Sequence, residues 1–259
     1  MAIITLTSDW GTKDHYAGAV KGRLLQGLKD VVIVDISHQI PAFDILQAAF
    51  ILKNAFAGFP GDSIHIVGVN TDASINTPHV AIRYRGHYFI GADNGVFSLI
   101  FEEPPSLIVE LDIMQDTDFF TFSSRDVFAK AAIHLAEGRD MASLGTVRTT
   151  INEKLSFKPV FEGNIIKAKV IYVDSYENVF VNINQEHFRK MVGKHAFHIA
   201  FRSSRYKISH ISKSYSDVPE GEMLALFSSS GYLEIAMNRG KASSLLGLRM
   251  DDPVHIVLD

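Results

Sequence analysis

Apolar and polar positions follow two different rhythms along this chain. In roughly the first 150 residues, short β-branched apolar runs alternate with segments whose apolar residues recur at helical spacing. Ile3 to Leu6, Val31 to Ile36 and Ser63 to Val69 read as buried strands. Tyr16, Val20, Leu24, Leu25 and Leu28 mark a first helix. Asp44 to Leu52 reads as a second, capped by Asp44 and ended near Gly58 to Gly61. Val80 to Tyr84 and Tyr88 to Ile90 read as a hairpin turned at Arg85-Gly86, and Asp93-Asn94-Gly95 as a turn. Leu107 to Leu111 reads as another strand, and Asp126 starts a helix that stops at Gly138. Strands alternating with helices predict an α/β domain, a mainly parallel sheet flanked by helices.

The rhythm then changes. Ile165 to Val173 and Val179 to Ile183 read as strands, with a short helix from Gln185 to Met191. Ala196 to Phe201, Lys207 to Ile211, Met223 to Phe227 and Leu233 to Met237 are short and evenly spaced, the pattern of a small C-terminal β-barrel or sandwich. The break falls between Thr149 and Pro159, giving domains over 1–150 and 151–259.

Composition narrows the chemistry. With no cysteine among 259 residues, disulfides, zinc–thiolate sites, iron–sulfur clusters and a cysteine nucleophile are excluded. A net charge of -4 and the lack of a Lys/Arg run argue against nucleic acid as a partner. No apolar run approaches the ~20 residues that span a bilayer, and the N-terminus lacks the pattern of a signal peptide. The expectation is a cytoplasmic protein with no membrane partner.

Phosphate-binding, nucleophile-elbow and zinc-protease motifs are all missing, and the eleven histidines show no metal-site spacing, so no metal is expected. What remains is polar clusters at strand ends. Asp9, Gly11 and Asp14 lie between the first strand and the first helix, on the sheet edge where α/β proteins bind ligands. A carboxylate there accepts two hydrogen bonds from a sugar diol, and Gly11 brings the backbone close. The competing assignment is local, with Asp9 capping the turn and Asp14 the helix. Asn70 to Asn76, Asp93-Asn94, Ser123 to Asp126, Asp174 to Asn178 and Ser228 to Gly231 are each explained as turns, or together as a polar small-molecule pocket.

These clusters carry a resemblance. Thr7-Ser-Asp-Trp-Gly-Thr-Lys-Asp14, Asp35-Ile-Ser-His-Gln-Ile-Pro41 with Asp44-Ile45, and Ala92-Asp-Asn-Gly-Val96 are similar to one family. So are Thr121 to Phe128, Asp174 to Asn178 with Val181-Asn182, and Ser229 to Ala236 with Asn238. It is the S-adenosylmethionine hydroxide adenosyltransferase (SAM hydrolase) family, related to the fluorinase and chlorinase. The resemblance runs in order along essentially the whole chain. It implies SN2 attack of water or hydroxide at the ribose C5′ of S-adenosylmethionine, giving adenosine and methionine. A sulfonium leaves without acid assistance, so the protein need only hold C5′ in line with a partly desolvated nucleophile. No cofactor beyond the substrate itself is implied.

Carried over by position, Asp9 resembles the ribose-diol acceptor and Asp174 the partner of the methionine ammonium. Ser229 and Ser230 resemble the partners of its carboxylate. Tyr176 and Tyr215 stand where family aromatics sandwich adenine, and Asn178 and the Asn238 to Ala242 segment where its edge is read. The resemblance further implies a homotrimer whose ligand sites lie between the N-terminal domain of one subunit and the C-terminal domain of the next. The chain departs from the family at the nucleophile. Of the water-positioning Asp/Arg/His trio, the Asp falls on Asn70, the Arg on or near Thr77 and the His on Ser123. Asn70 can hydrogen-bond a water but cannot take its proton; Asp72 is the nearest carboxylate. Ser124 lies where the fluorinase places a serine, although Asn70 is not the halogenase tyrosine. Four readings therefore stand: a slow hydrolase, a non-catalytic S-adenosylmethionine or adenosine binder, a halogenase, and an enzyme using a different nucleophile or adenosyl substrate.

Overall fold

The β-branched runs near the N-terminus form the middle of a seven-stranded sheet in the computed structural model, which describes residues 1–116, 118, 120–155, 157–201 and 206–259. β1 (Ala2–Ser8) lies between β2 (Val31–Ser37) and β3 (Ile64–Gly68), parallel to both. β5 (His87–Ala92) adds in parallel to β3. β4 (His79–Tyr84), β6 (Leu107–Leu111) and β7 (Gly145–Arg148) continue the sheet by antiparallel steps, in the order β2-β1-β3-β5-β4-β6-β7. Two antiparallel steps restore direction, so β1, β2, β3, β5 and β6 run the same way.

Helices cover both faces, which is why the central strands β1, β3 and β5 are buried at consecutive positions rather than alternately. Ile4, Leu6, Ile66 and Ile90 pack with Val20 and Leu24 of α1 (Tyr16–Gly27) and with Ala131, Ala132 and Leu135 of α4 (Ala129–Ala136). On the other face Val67, Val80 and Phe89 pack with Ala48, Ala49 and Leu52 of α2 (Ile45–Ala55) and Val96, Phe97 and Ile100 of α3 (Val96–Ile100).

Local chemistry sets the helix starts, and not always where the pattern put them. Asp44 caps α2 as expected, accepting from the amides of Leu46 and Gln47. Asp14 does not cap α1: His15 holds the N-cap position already in a helical conformation and makes no side-chain cap, while Asp14 is exposed. The helix assigned to Asp126 begins earlier, as a π turn over Ser124–Phe128 in which the Ala129 amide donates to the Ser124 carbonyl. Asp126 is instead engaged by Arg125. The Asp93-Asn94-Gly95 turn becomes the start of α3, with Gly95 at φ 96°.

The chain divides into two compact units, Met1–Leu155 and Ser156–Asp259. The second holds β8 (Val160–Glu162), β9 (Ile165–Val173), β10 (Val179–Asn184), β11 (Phe197–Ala200), β12 (Lys207–Ile208), β13 (Met223–Phe227), β14 (Tyr232–Met237) and β15 (Pro253–Leu258). They form an antiparallel sheet in the order β12-β11-β15-β9-β10-β14-β13, with β8 beside β9. A bridge from Ile211 to Ala225 draws its two ends together into a nearly closed barrel. In β9, buried Ile166, Ala168 and Val170 alternate with Lys167 and Lys169, the period of a strand with one wet face. The strand expected over 207–211 shrinks to two residues. α5 (Gln185–Val192) matches its pattern, whereas β15 and α6 (Ala242–Leu246) were not foreseen.

Candidate functional site

In the first unit the predicted polar clusters share one edge of the sheet, where β1, β2, β3 and β5 end and β4 begins. Asp9 follows β1 directly, half-buried, and its Oδ2 accepts the Phe43 amide at 2.9 Å. Gly11, at φ 66°, donates its amide to the His38 carbonyl at 2.7 Å. The loop after β1 is thereby tied to the loop after β2, and among the described residues Asp9 Oδ1 has no hydrogen-bond partner.

A chain of polar contacts, buried at Ser8 and His38 and reaching the surface at Asp35 and Lys21, starts beside Asp9. Ser8 Oγ meets His38 Nδ1 at 2.6 Å, His38 Nε2 stands 3.1 Å from Asp35 Oδ1, and Lys21 closes on Asp35 Oδ2 at 2.5 Å. Ser8 is fully buried, so this serine is no nucleophile. Trp10 stacks on His38 at 5.6 Å and meets Phe122 edge-on at 5.9 Å. It can do so only because residue 68 is glycine, since a Cβ there would lie 2.2 Å from the indole. The only sequence signal for His38 was its place in the Asp35 to Pro41 motif.

Asn70 takes a left-handed conformation, φ 49°, at the end of β3 and is exposed. Asn94 Nδ2 donates to the carbonyls of Val69 (3.1 Å) and Asn70 (2.9 Å). Thr77 Oγ1 meets Ser74 Oγ at 2.7 Å and donates to the Asp72 carbonyl at 3.3 Å, closing a small ring on which Asp72 is exposed. Asp93 is fully buried and accepts the Asn152 amide on both oxygens at 3.0 Å, and Asn152 Nδ2 reaches the Asn76 carbonyl at 2.6 Å. Burial raises the Asp93 pKa, against the pull of the Asn152 amide and of Arg148, 3.8 Å away. The predicted Asp93 cluster thus anchors the 70–78 loop.

Ser123 and Ser124 are both buried, Ser123 just before and Ser124 at the first position of the π turn, a helical irregularity frequent at functional sites. Ser124 Oγ has no hydrogen-bond partner among the described residues. Arg125 forks onto Asp126 at 2.6 and 2.7 Å.

In the second unit, Asp174 Oδ1 accepts the amides of Tyr176 (2.9 Å) and Asn178 (2.8 Å), and its Oδ2 accepts Asn178 Nδ2 at 3.1 Å. Asn178 is buried and Tyr176 is 78% exposed, available to stack on a ligand. Glu177 joins this turn to α6: its carbonyl accepts the Ser243 amide at 2.9 Å and its carboxylate pairs with Lys241 at 2.7 Å. Ala242 is buried at the first position of α6, and Asn238 Nδ2 is committed to the Val218 carbonyl at 2.8 Å. Tyr215 donates its hydroxyl to Glu234 Oε1 at 2.7 Å. Glu234, unforeseen, is 2% exposed on β14. Burial raises its pKa, opposed by the Tyr215 hydrogen bond, and burial with the Glu234 contact raises that of Tyr215. Its signal in the sequence was a lone acid inside Leu233-Glu-Ile-Ala236.

Ser229 and Ser230 sit apart from these residues. They occupy the Ser228–Gly231 hairpin before β14, with Ser230 Oγ 2.6 Å from Ser228 Oγ and Ser229 exposed. Asn238 follows the other end of that strand, and Val179, just past the Asp174 turn, pairs with Ile235. A six-residue strand spans about 20 Å, so the serine hairpin and Asn238 lie at opposite ends of β14.

Comparison with known proteins gives these positions a context. Residues 4–145 match the SAM hydroxide adenosyltransferase N-terminal domain, and residues 168–255 match the C-terminal domain of the same family. An (R)-S-adenosyl-L-methionine hydrolase of Methanocaldococcus jannaschii is 31% identical over 98% of this chain and 95% of its own. One from Thermus thermophilus is 29% identical over 99% and 100%. A fluorinase of Nocardia brasiliensis is 24% identical over 98% and 96%. Among solved structures, an uncharacterized conserved protein from Thermotoga maritima superposes with TM-score 0.89 at 29% identity, covering 98% of this chain and 99% of that one.

Proposed function

Because the chain belongs to the SAM hydroxide adenosyltransferase family, we propose that it hydrolyses S-adenosylmethionine to adenosine and methionine. The observation that carries the reading is the Asp9 turn. Its carboxylate follows β1 at the sheet edge and is held through Oδ2 by the Phe43 amide, while Oδ1 has no hydrogen-bond partner among the described residues, which leaves acceptor capacity for a vicinal diol. Aligned to the diol, a substrate's C5′ faces the 70–78 loop and the π turn, where a water has Asn70 as a hydrogen-bond partner. Tyr176 and Tyr215 serve as the adenine clamp, and Asn178 and the 238–242 segment as its edge readers. The serine hairpin takes the methionine carboxylate. We also propose the homotrimer implied by the family, which light scattering tests.

One observation favours a second reading. The Ser124 hydroxyl is buried without a partner among the described residues, a state that costs about 1–3 kcal/mol and that a water or a small anion would relieve. Incubation with S-adenosylmethionine, with and without chloride or fluoride, separates the readings by chromatography. Adenosine in every arm supports the hydrolase. A 5′-halogenated nucleoside supports the halogenase. Adenosine binding without any product supports a binder that has lost catalysis.

A further inference from the structure

With Asn70, Thr77 and Ser123 in the trio's positions, none of the three can take a proton from the attacking water. The imidazole of His79, on the same edge, has that capacity. His79 opens β4 directly after the 70–78 loop, and its Nε2 meets the Thr71 carbonyl at 2.8 Å. A carbonyl only accepts, so Nε2 carries the hydrogen and the neutral ring keeps its lone pair at Nδ1. The ring also packs edge-on against Phe128, centroids 4.8 Å apart, on the π turn that carries Ser124. The imidazole is therefore clamped between the segment holding Asn70 and Thr77 and the segment following Ser123.

We propose that His79 is the proton acceptor for the attacking water, replacing the missing trio; the inference rests on the hydrolase reading. In this step the water oxygen bonds to C5′ while the C5′–S bond breaks and sulfur keeps the electron pair, leaving as the methionine thioether. The water's proton passes to His79 Nδ1, and the imidazolium then returns it to solvent. Burial lowers the His79 pKa, which keeps the ring neutral and ready at neutral pH. The Thr71 hydrogen bond and the charge of Asp72 work the other way and stabilise the cation once it forms. The elements packed against it carry the Arg125–Asp126 pair, on the π turn, and Asp93, which follows Ala92, the backbone partner of His79.

The test compares the full-length protein with His79→Gln, whose amide can still donate to the Thr71 carbonyl. Adenosine release is followed against pH where both proteins remain folded, alongside calorimetric binding of adenosine. The expected result is a loss of turnover of about a hundredfold or more, with adenosine affinity unchanged. The acid limb of the wild-type profile, lying below the ordinary histidine range, should vanish, and added imidazole should restore part of the turnover in His79→Ala. Unchanged turnover and an unchanged profile in His79→Gln would overturn the proposal while leaving the hydrolase reading intact. So would lost turnover with the acid limb still in place and no rescue by imidazole. A wild-type protein that releases no adenosine would bring down both.

Discussion

Replacing Asp9 with alanine separates the ligand-holding role of this residue from its role in the fold. On the structural side the loss is small. The carboxylate is half-buried and, among the described residues, accepts one hydrogen bond, from the amide of exposed Phe43, which water can replace. The expected destabilisation is about 1 kcal/mol or less. On the binding side, a carboxylate that accepts both ribose hydroxyls makes two charge-assisted hydrogen bonds worth about 1.5–3 kcal/mol each. The sum, about 3–6 kcal/mol, corresponds to roughly a 150- to 20,000-fold loss of affinity. The assay is calorimetric titration of wild type and Asp9→Ala with adenosine and with 2′,3′-dideoxyadenosine. Wild type should prefer adenosine strongly and the variant should not, because the hydroxyls and the carboxylate act through one interaction. Equal losses on removing the diol in both proteins would refute the assignment, whatever the absolute affinities.

Three further outcomes follow from the same geometry. His65 is fully buried against Phe56, Phe59 and Phe89, bonded to Thr5 Oγ1 at 2.7 Å and beside His87. Burial, with His87 adding, lowers its pKa to about 3, so the unfolded chain binds a proton that the native protein refuses. Stability is then complete above about pH 6.5 and falls towards pH 3, by up to about 5 kcal/mol; urea titrations of His65→Asn should show a shallower acid slope than wild type. Tyr215→Phe leaves Glu234 buried without its donor and should cost about 1–3 kcal/mol of stability, read as a lower denaturation midpoint; an unchanged midpoint would contradict the contact. Asn70→Asp should raise adenosine release if the missing carboxylate limits the rate, and no gain would mean that the rebuilt 70–78 loop handles water differently.

The division into an α/β unit and a β unit was legible because the apolar period switches from helix–strand alternation to short strands. Edges were harder. β15 escaped because Pro253 and His255 interrupt its pattern, although Pro253 sits at the strand's first position, where a missing amide is tolerated. Asp14 and Asp126 show the limit of capping rules read without backbone geometry: a carboxylate near a helix start caps it only if the chain enters from an extended conformation, and Ser123 and His15 are already helical. The site was legible where function sits in a turn following a strand, as at Asp9 and Asp174. His38, His79 and Glu234 were missed because their importance lies in partners 30, 8 and 19 residues away, which no local spacing encodes.

The central claim, that water attacks the C5′ carbon of S-adenosylmethionine, is tested most directly by turnover in 18O-labelled water with mass spectrometry of the nucleoside. The account predicts adenosine carrying one heavy oxygen, on the 5′ carbon, released together with unlabelled methionine. Adenosine without label, a 5′-halogenated nucleoside, or no product above the uncatalysed background would contradict it.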